Sequence, residues 1–153
     1  MFHFEFVYRV ISIIIATCCP LAMFFFFPEQ QSLSAYWDTN ALPLFVIMTA
    51  VTSHFMFSLD NWKIPAVFLL LLTAFPYTMF SILHDILALC FFISAGIAMF
   101  VTNRFRTLFV LYLFGCLLAI KNLLYGEIVS ILCLCTFHGT ILYYHHKLLY
   151  KKR

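Results

Sequence analysis

Charged residues are scarce in this 153-residue chain. Asp, Glu, Lys and Arg together make up 10% of it, whereas hydrophobic residues make up 65%, and the mean hydropathy is +1.02. A water-soluble domain of this size would expose too much apolar surface at this composition, so the predicted solvent is lipid. At ~20 residues per span, the length allows at most six or seven membrane helices and leaves no room for a soluble domain.

The sequence patterns of several function classes are also missing. There is no Gly-rich phosphate loop, nucleophile elbow, H-E-x-x-H motif or conventional catalytic triad. The six cysteines lie inside apolar segments and lack the spacing of a zinc site, so we expect buried packing residues and no metal or cofactor. The basic residues stand beside hydrophobic segments, so the net charge of +3 does not indicate a nucleic-acid partner.

Charges, prolines and polar runs divide the chain into six predicted spans within a single transmembrane domain, residues 1–153. Pro76 is predicted to kink the third span or end it early. The longest polar stretch, SLSAYWDTN, separates the first two spans, and its Asp38 or Asn40 could serve as the N-cap of the second. The fold class is therefore an all-α polytopic bundle whose spans cover approximately residues 10–27, 41–59, 64–80, 85–102, 107–122 and 127–144.

The distribution of basic residues predicts the orientation of these spans. With six spans, Lys121 is the only Lys or Arg on one side of the membrane. Basic residues favour the cytoplasmic side, so both chain ends are predicted to lie in the cytoplasm. The residues on that side are Arg9, Lys63, Arg104, Arg106, Lys147, Lys151, Lys152 and Arg153.

Small residues recur at four-residue spacing in the last three spans. This spacing lets helix backbones approach closely, which matters in lipid because hydrophobicity does not drive helices together there. The pattern predicts a compact bundle of these spans, although the same faces could equally serve contacts within a homo-oligomer. The predicted packing residues are Ser94, Ala98, Gly115, Ala119 and Gly139.

Four polar residues from three connections are predicted to meet at the external face of the membrane. They are Asp38, His84, Asp85 and Glu127, with Ser34, Tyr36, Asn40 and Lys121 as a possible rim. A histidine with carboxylates near the head groups could bind a cation or act in acid–base chemistry. In the alternative interpretation, Asp85 and Glu127 only begin helices and His84 lies in the membrane interface.

Two further histidines fall within predicted spans. His54 is flanked by Thr and Ser residues in the second span, and His138 lies between Thr136 and Thr140 in the sixth. Ionisable groups inside a membrane are costly and often functional. A neutral histidine that is satisfied by a neighbouring helix is the alternative for each.

The run Ser32-Leu33-Ser34-Ala35-Tyr36-Trp37-Asp38-Thr39 resembles a segment of an uncharacterised bacterial six-span family related to the Frag/DRAM/Sfk group. Members of that family carry an S-x-S-x-Y-Y-x-T run there, an F-P that matches Phe75-Pro76, and a late acid that matches Glu127. An H-x-x-x-A-x-x-F-F pattern is matched by His84, Ala88, Phe91 and Phe92. The chain departs from the family at Asp38, where a His or similar residue is usual, and it lacks an Arg within residues 41–44.

This resemblance implies six spans and a location in the bacterial cytoplasmic (inner) membrane. It implies no settled activity, since the bacterial members have none and the links of eukaryotic relatives to lipid remodelling and autophagy are distant. The leading hypothesis is a non-enzymatic protein that binds membrane lipid or another membrane protein through its external face. The alternatives are a lipid-modifying enzyme that uses His84 with nearby acids, and an oligomeric pore or membrane effector subunit.

Overall fold

The computed structural model describes residues 2–102 and 105–150, and this part of the chain is all-helical. It contains six α-helices and two short 3₁₀ segments, Ser34–Asp38 and Asp60–Trp62. The α-helices are α1 (Phe2–Phe26), α2 (Leu42–Phe57), α3 (Lys63–Ala74), α4 (Tyr77–Thr102), α5 (Arg106–Ala119) and α6 (Leu123–Tyr150). The predicted all-α class and its six helices are therefore confirmed.

The helices pack in chain order as a closed ring, because each contacts the next and α6 returns to α1. Side chains that face the ring interior form the core, whereas large apolar side chains such as Phe26, Ile82 and Phe100 cover the exterior. An exterior of this kind suits a lipid environment. Segments Phe4–Phe26, Tyr77–Thr102 and Leu123–Tyr144 are long and apolar enough to cross a membrane, which is compatible with an integral membrane protein.

The other helices are shorter than a bilayer core of about 30 Å. At 1.5 Å per residue, the 16 residues of α2 extend about 24 Å and the 14 of α5 about 21 Å. The 12 residues of α3 extend only about 18 Å. These three helices need their flanking segments to cross a full bilayer, so six spans stay a prediction.

The predicted break at Pro76 is confirmed. Helix α3 ends at Ala74, and the chain resumes helical structure at Tyr77, eight residues before the predicted start of the fourth span. The backbone leaves the helical region once more at Phe80. Proline cannot donate a backbone hydrogen bond and disfavours helical geometry in the residue before it, which explains why the helix stops here.

Helices α5 and α6 form the closest pair in the ring. The Asn122 side chain accepts a hydrogen bond from the Tyr125 N–H at 3.2 Å and so caps the start of α6. A Cβ added to Gly126 would lie 2.3 Å from the Ala119 backbone, and one added to Gly115 would lie 2.6 Å from Ser130 Oγ. Both glycines are therefore needed for this close approach.

The remaining predicted packing residues differ in their surroundings. Ala98 is buried and Ser94 is half-buried in α4, but the close contact of α4 is made by Gly96, whose missing Cβ leaves room for the Tyr112 ring. Gly139 makes no close helix contact within the chain, because a Cβ there would meet nothing within 4 Å. Four-residue spacing shows which residues share a helix face, but not whether a neighbouring backbone lies against that face.

Candidate functional site

The polar stretch between α1 and α2 folds back over one end of the ring, here called the connector end. Within it, Leu33 is 3% exposed and Tyr36 is fully buried, and both pack into a core cluster with residues of α1, α2 and α6. Ser32 Oγ and Ser34 Oγ lie 2.9 Å apart, and Ser32 Oγ also accepts from the Ala35 N–H. The polar residues thus form a compact turn while the apolar residues anchor it.

Glu127 attaches this turn to α6. Its Oε2 atom accepts a hydrogen bond from the buried backbone N–H of Leu33 at 2.7 Å, although the two residues are 94 positions apart in the chain. Helix α6 begins at Leu123, so Glu127 lies one turn inside the helix and its side chain, 6% exposed, serves another segment. The alternative interpretation of Glu127 as a helix-starting acid is therefore wrong.

Asp38 attaches the other end of the turn to α4. Its Oδ1 atom accepts a hydrogen bond from Thr78 Oγ1 at 3.2 Å. It does not cap α2, and neither does Asn40: the hydroxyl of Thr39 accepts the Ala41 N–H at 3.0 Å instead. The prediction of an N-cap at Asp38 or Asn40 is therefore wrong.

His84 lies on α4 and is 1% exposed, so its side chain is enclosed by the protein. Its Nδ1 atom lies 2.7 Å from the Phe75 carbonyl oxygen, which can only accept. Nδ1 therefore carries the proton and donates it, and in the neutral ring Nε2 keeps its lone pair. Nε2 is buried and has no hydrogen-bond partner among the described residues.

Asp85, the neighbour of His84, is exposed in α4, eight residues after the helix begins. The structure thus connects Asp38 to α4 through Thr78, and Glu127 to the turn through Leu33. It gives His84 a backbone partner rather than one of the three acids.

The four residues of the predicted rim do not all lie at the surface. Asn40 and Lys121 are exposed and Ser34 is half-buried, whereas Tyr36 belongs to the core. Burial raises the pKa of the Tyr36 phenol above its ordinary value, so this ring is neutral and acts as an anchor.

The two histidines of the predicted spans have different surroundings. His54 is exposed, and its Nδ1 atom is hydrogen-bonded to the Tyr8 hydroxyl of α1, so its ring has a partner on a neighbouring helix, as the alternative interpretation expects. His138 is buried among aromatic rings, with its ring centroid 4.2 Å from that of Trp62 and 5.2 Å from that of Phe55.

Sequence reasoning missed the partners of these residues. Leu33 takes part through its backbone N–H and Phe75 through its carbonyl oxygen, and neither group is marked by the type of side chain. Thr78 carries a hydroxyl close to Pro76, but nothing in the sequence indicated that Asp38 is its hydrogen-bond partner. Across residues 2–102 and 105–150, no group of three or more His, Cys, Asp or Glu side chains could hold a metal ion.

Comparison of the chain with protein-family models, with curated proteins and with solved structures finds no match. The resemblance to the six-span bacterial family therefore stays a prediction.

Proposed function

We propose that the protein is a multi-pass integral membrane protein of the bacterial inner membrane, with six spans and both chain ends in the cytoplasm. Three helices have the length and apolarity of a span, and two shorter apolar helices, α2 and α5, pack beside them in the ring. Eight basic residues on one side against Lys121 on the other support this orientation. The connector end is then external, and we propose membership of the family related to the Frag/DRAM/Sfk group.

Cysteine labelling tests this topology. In a cysteine-free background, single cysteines at exposed connector-end positions are expected to react with an impermeant reagent in intact cells, whereas exposed positions at the opposite end react only after permeabilisation. Labelling of both sets of positions from the same side of the membrane would contradict the proposal. Suitable positions are Gln31, Thr78 and Lys121 for the outside, and Asn61, Arg106 and Lys147 for the inside.

The function we propose is binding, without catalysis, of a membrane lipid or of another membrane protein through the connector end. One observation carries this proposal: the turn at residues 32–38 is attached to two distant helices by Glu127 and Thr78. A surface ordered in this way loses little conformational entropy when a ligand binds, which favours affinity.

The charges of this face indicate the kind of group it would take. Asp38 and Asp85 are both exposed there, and each is a carboxylate on a different segment. Exposed acids near head groups attract a cationic group, such as the amine of a lipid or a basic loop of a membrane protein. The proposed ligand therefore presents positive charge to this face.

Native mass spectrometry of protein purified in mild detergent tests the binding function. A lipid or protein is expected to co-purify, and the double variant Asp38→Asn/Asp85→Asn is expected to lose it severalfold, since each exposed pair contributes at most about 1 kcal/mol. Asp60→Asn is the matched control, because Asp60 is an exposed acid at the opposite end. Equal occupancy in the two variants would contradict binding through the connector end.

A lipid-modifying enzyme is the second candidate, and the geometry of His84 favours it. A histidine that donates Nδ1–H to a carbonyl oxygen keeps Nε2 as its basic atom, which is how general bases are oriented. Because this Nε2 is buried, the side chains around it would have to move for a substrate to reach it. The same mass spectra distinguish the two functions, since an enzyme converts the bound lipid to a product of different mass over time.

The central cavity argues against a pore through the interior of a single copy of the chain. It has a volume of about 40 Å³ and is enclosed by α1, α2, α3, α4 and α6. At roughly 10–15 Å³ per water, such a cavity holds about three waters, far fewer than a file that crosses a bilayer.

A further inference from the structure

A pocket lined by polar and apolar residues lies at the end of the ring opposite the connector end, here called the basic end. Its volume is about 300 Å³, which is the lower limit of ordinary small-molecule sites. Its walls come from five parts of the chain: Arg9 of α1, Phe55 of α2, the turn at residues 58–62, Thr102 of α4, and His138, Ile141 and Leu142 of α6. None of these residues belongs to the connector-end site.

Arg9 is the cation of this pocket, and one of its nitrogens is unused. Its Nη2 atom donates a hydrogen bond to the Glu5 carboxylate at 2.7 Å, and the side chain of Glu5 is 57% exposed. Such an exposed pair within one helix is weak. The Nε atom, by contrast, is buried and has no hydrogen-bond partner in the part of the chain that the structure describes. An acceptor supplied by a ligand would satisfy it.

Asp60, the one acid among the described residues that line the pocket, does not neutralise Arg9. The side chain of Asp60 is 96% exposed, and its Oδ1 atom accepts from Lys63 Nζ at 3.1 Å on the outer surface. The interior of the pocket therefore keeps a positive character. A guanidinium with a free N–H is well suited to a phosphate oxygen, because it can donate more than one hydrogen bond to it.

The rest of the pocket is amphipathic. His138 contributes a second buried nitrogen, Nε2, that has no hydrogen-bond partner among the described residues, and its ring packs against Trp62. Leu59, Ile141 and Leu142 supply apolar walls. A ligand that satisfies both parts carries a phosphate next to hydrocarbon, which is the chemistry of a phospholipid.

The surroundings of the pocket add a preference for net negative charge. Lys63, Arg106 and Lys147 are all exposed at the basic end. Each basic side chain near a membrane surface attracts anionic lipid. We propose that the basic-end pocket binds the phosphodiester head group of an anionic phospholipid, with Arg9 as the phosphate ligand and the apolar walls against the acyl chains.

The fluorescence of Trp62 provides a direct measurement of binding. The chain has two tryptophans, so a Trp37→Phe background leaves Trp62, inside the pocket, as the only reporter. In detergent micelles, added phosphatidylglycerol is expected to change the emission of Trp62 until the change saturates. Phosphatidylcholine and inorganic phosphate are expected to change this emission much more weakly. Arg9→Gln should lower the affinity for phosphatidylglycerol by about tenfold, as the loss of a charge-assisted hydrogen bond does.

Arg106→Gln is the matched comparison, because Arg106 is an exposed arginine of the same end that does not line the pocket, so its loss should weaken only the general attraction and lower the affinity less than Arg9→Gln does. Equal losses in the two arginine variants, or equal affinities for the two phospholipids, would overturn the proposal. An equal response to inorganic phosphate would overturn the assignment to a lipid. If Arg9→Gln loses its helical circular dichroism, Ile141→Phe is tested in its place. This variant keeps Arg9 and narrows the pocket at its apolar wall, so it should lower the affinity for phosphatidylglycerol. An unchanged affinity would overturn the proposal.

Discussion

Replacing Gly126 by alanine is expected to abolish the folded bundle. The new Cβ would lie 2.3 Å from the Cα and N atoms of Ala119, and backbone atoms cannot move aside as the end of a flexible side chain can. Helices α5 and α6 would have to separate at their short connection. Overpacking of a core typically costs about 1–3 kcal/mol, and a forced backbone shift more. Size-exclusion chromatography and thermal unfolding in detergent measure the loss.

Gly139→Ala is the control for this substitution, since it is the same change in the same helix. Nothing lies within 4 Å of a Cβ at position 139, and alanine is the better helix former by about 1 kcal/mol. We expect the melting temperature of this variant to be unchanged or slightly raised. Similar melting temperatures for Gly126→Ala and Gly139→Ala would show that α5 and α6 do not approach as closely as the structure has them.

Replacing Glu127 by alanine is expected to release the turn at residues 32–38 from the ring. The Leu33 N–H would lose its acceptor in a buried position, and an unsatisfied buried donor costs about 1–3 kcal/mol. Hydrogen–deuterium exchange of the peptides that contain residues 32–38 should therefore accelerate strongly, and the melting temperature should fall.

Two variants separate the hydrogen bond from the charge of Glu127. Glu127→Gln keeps an oxygen that can accept from Leu33 and should retain most of the protection from exchange. Glu29→Ala removes an exposed acid of the same end and should leave exchange unchanged. If Glu127→Ala exchanges like the wild type, the hydrogen bond does not hold the turn, and the proposal of a preordered binding face fails with it.

The candidate site could be predicted only in part, because side-chain types mark donors and acceptors but not their partners. The topology argument assigned Asp38, His84, Asp85 and Glu127 to one face, and the structure places the turn of Asp38 against Glu127 and α4. The topology argument could not predict that His84 would donate a hydrogen bond to the Phe75 carbonyl oxygen. Any backbone group can be such a partner, and the choice depends on which segments meet in space.

The sequence by itself determined that the protein is an all-helical bundle of six helices with an apolar exterior, and that the third helix is interrupted at Pro76. It did not determine every helix boundary, since α4 begins eight residues before its predicted start. Composition, hydrophobic runs and proline act locally, through transfer of side chains to an apolar solvent and through allowed backbone angles. Only the tertiary structure decided which small residues allow two helices to approach closely. Gly126 and Gly139 lie in the same helix, yet only Gly126 meets another backbone, because that depends on where α5 lies relative to α6 and not on spacing along either helix.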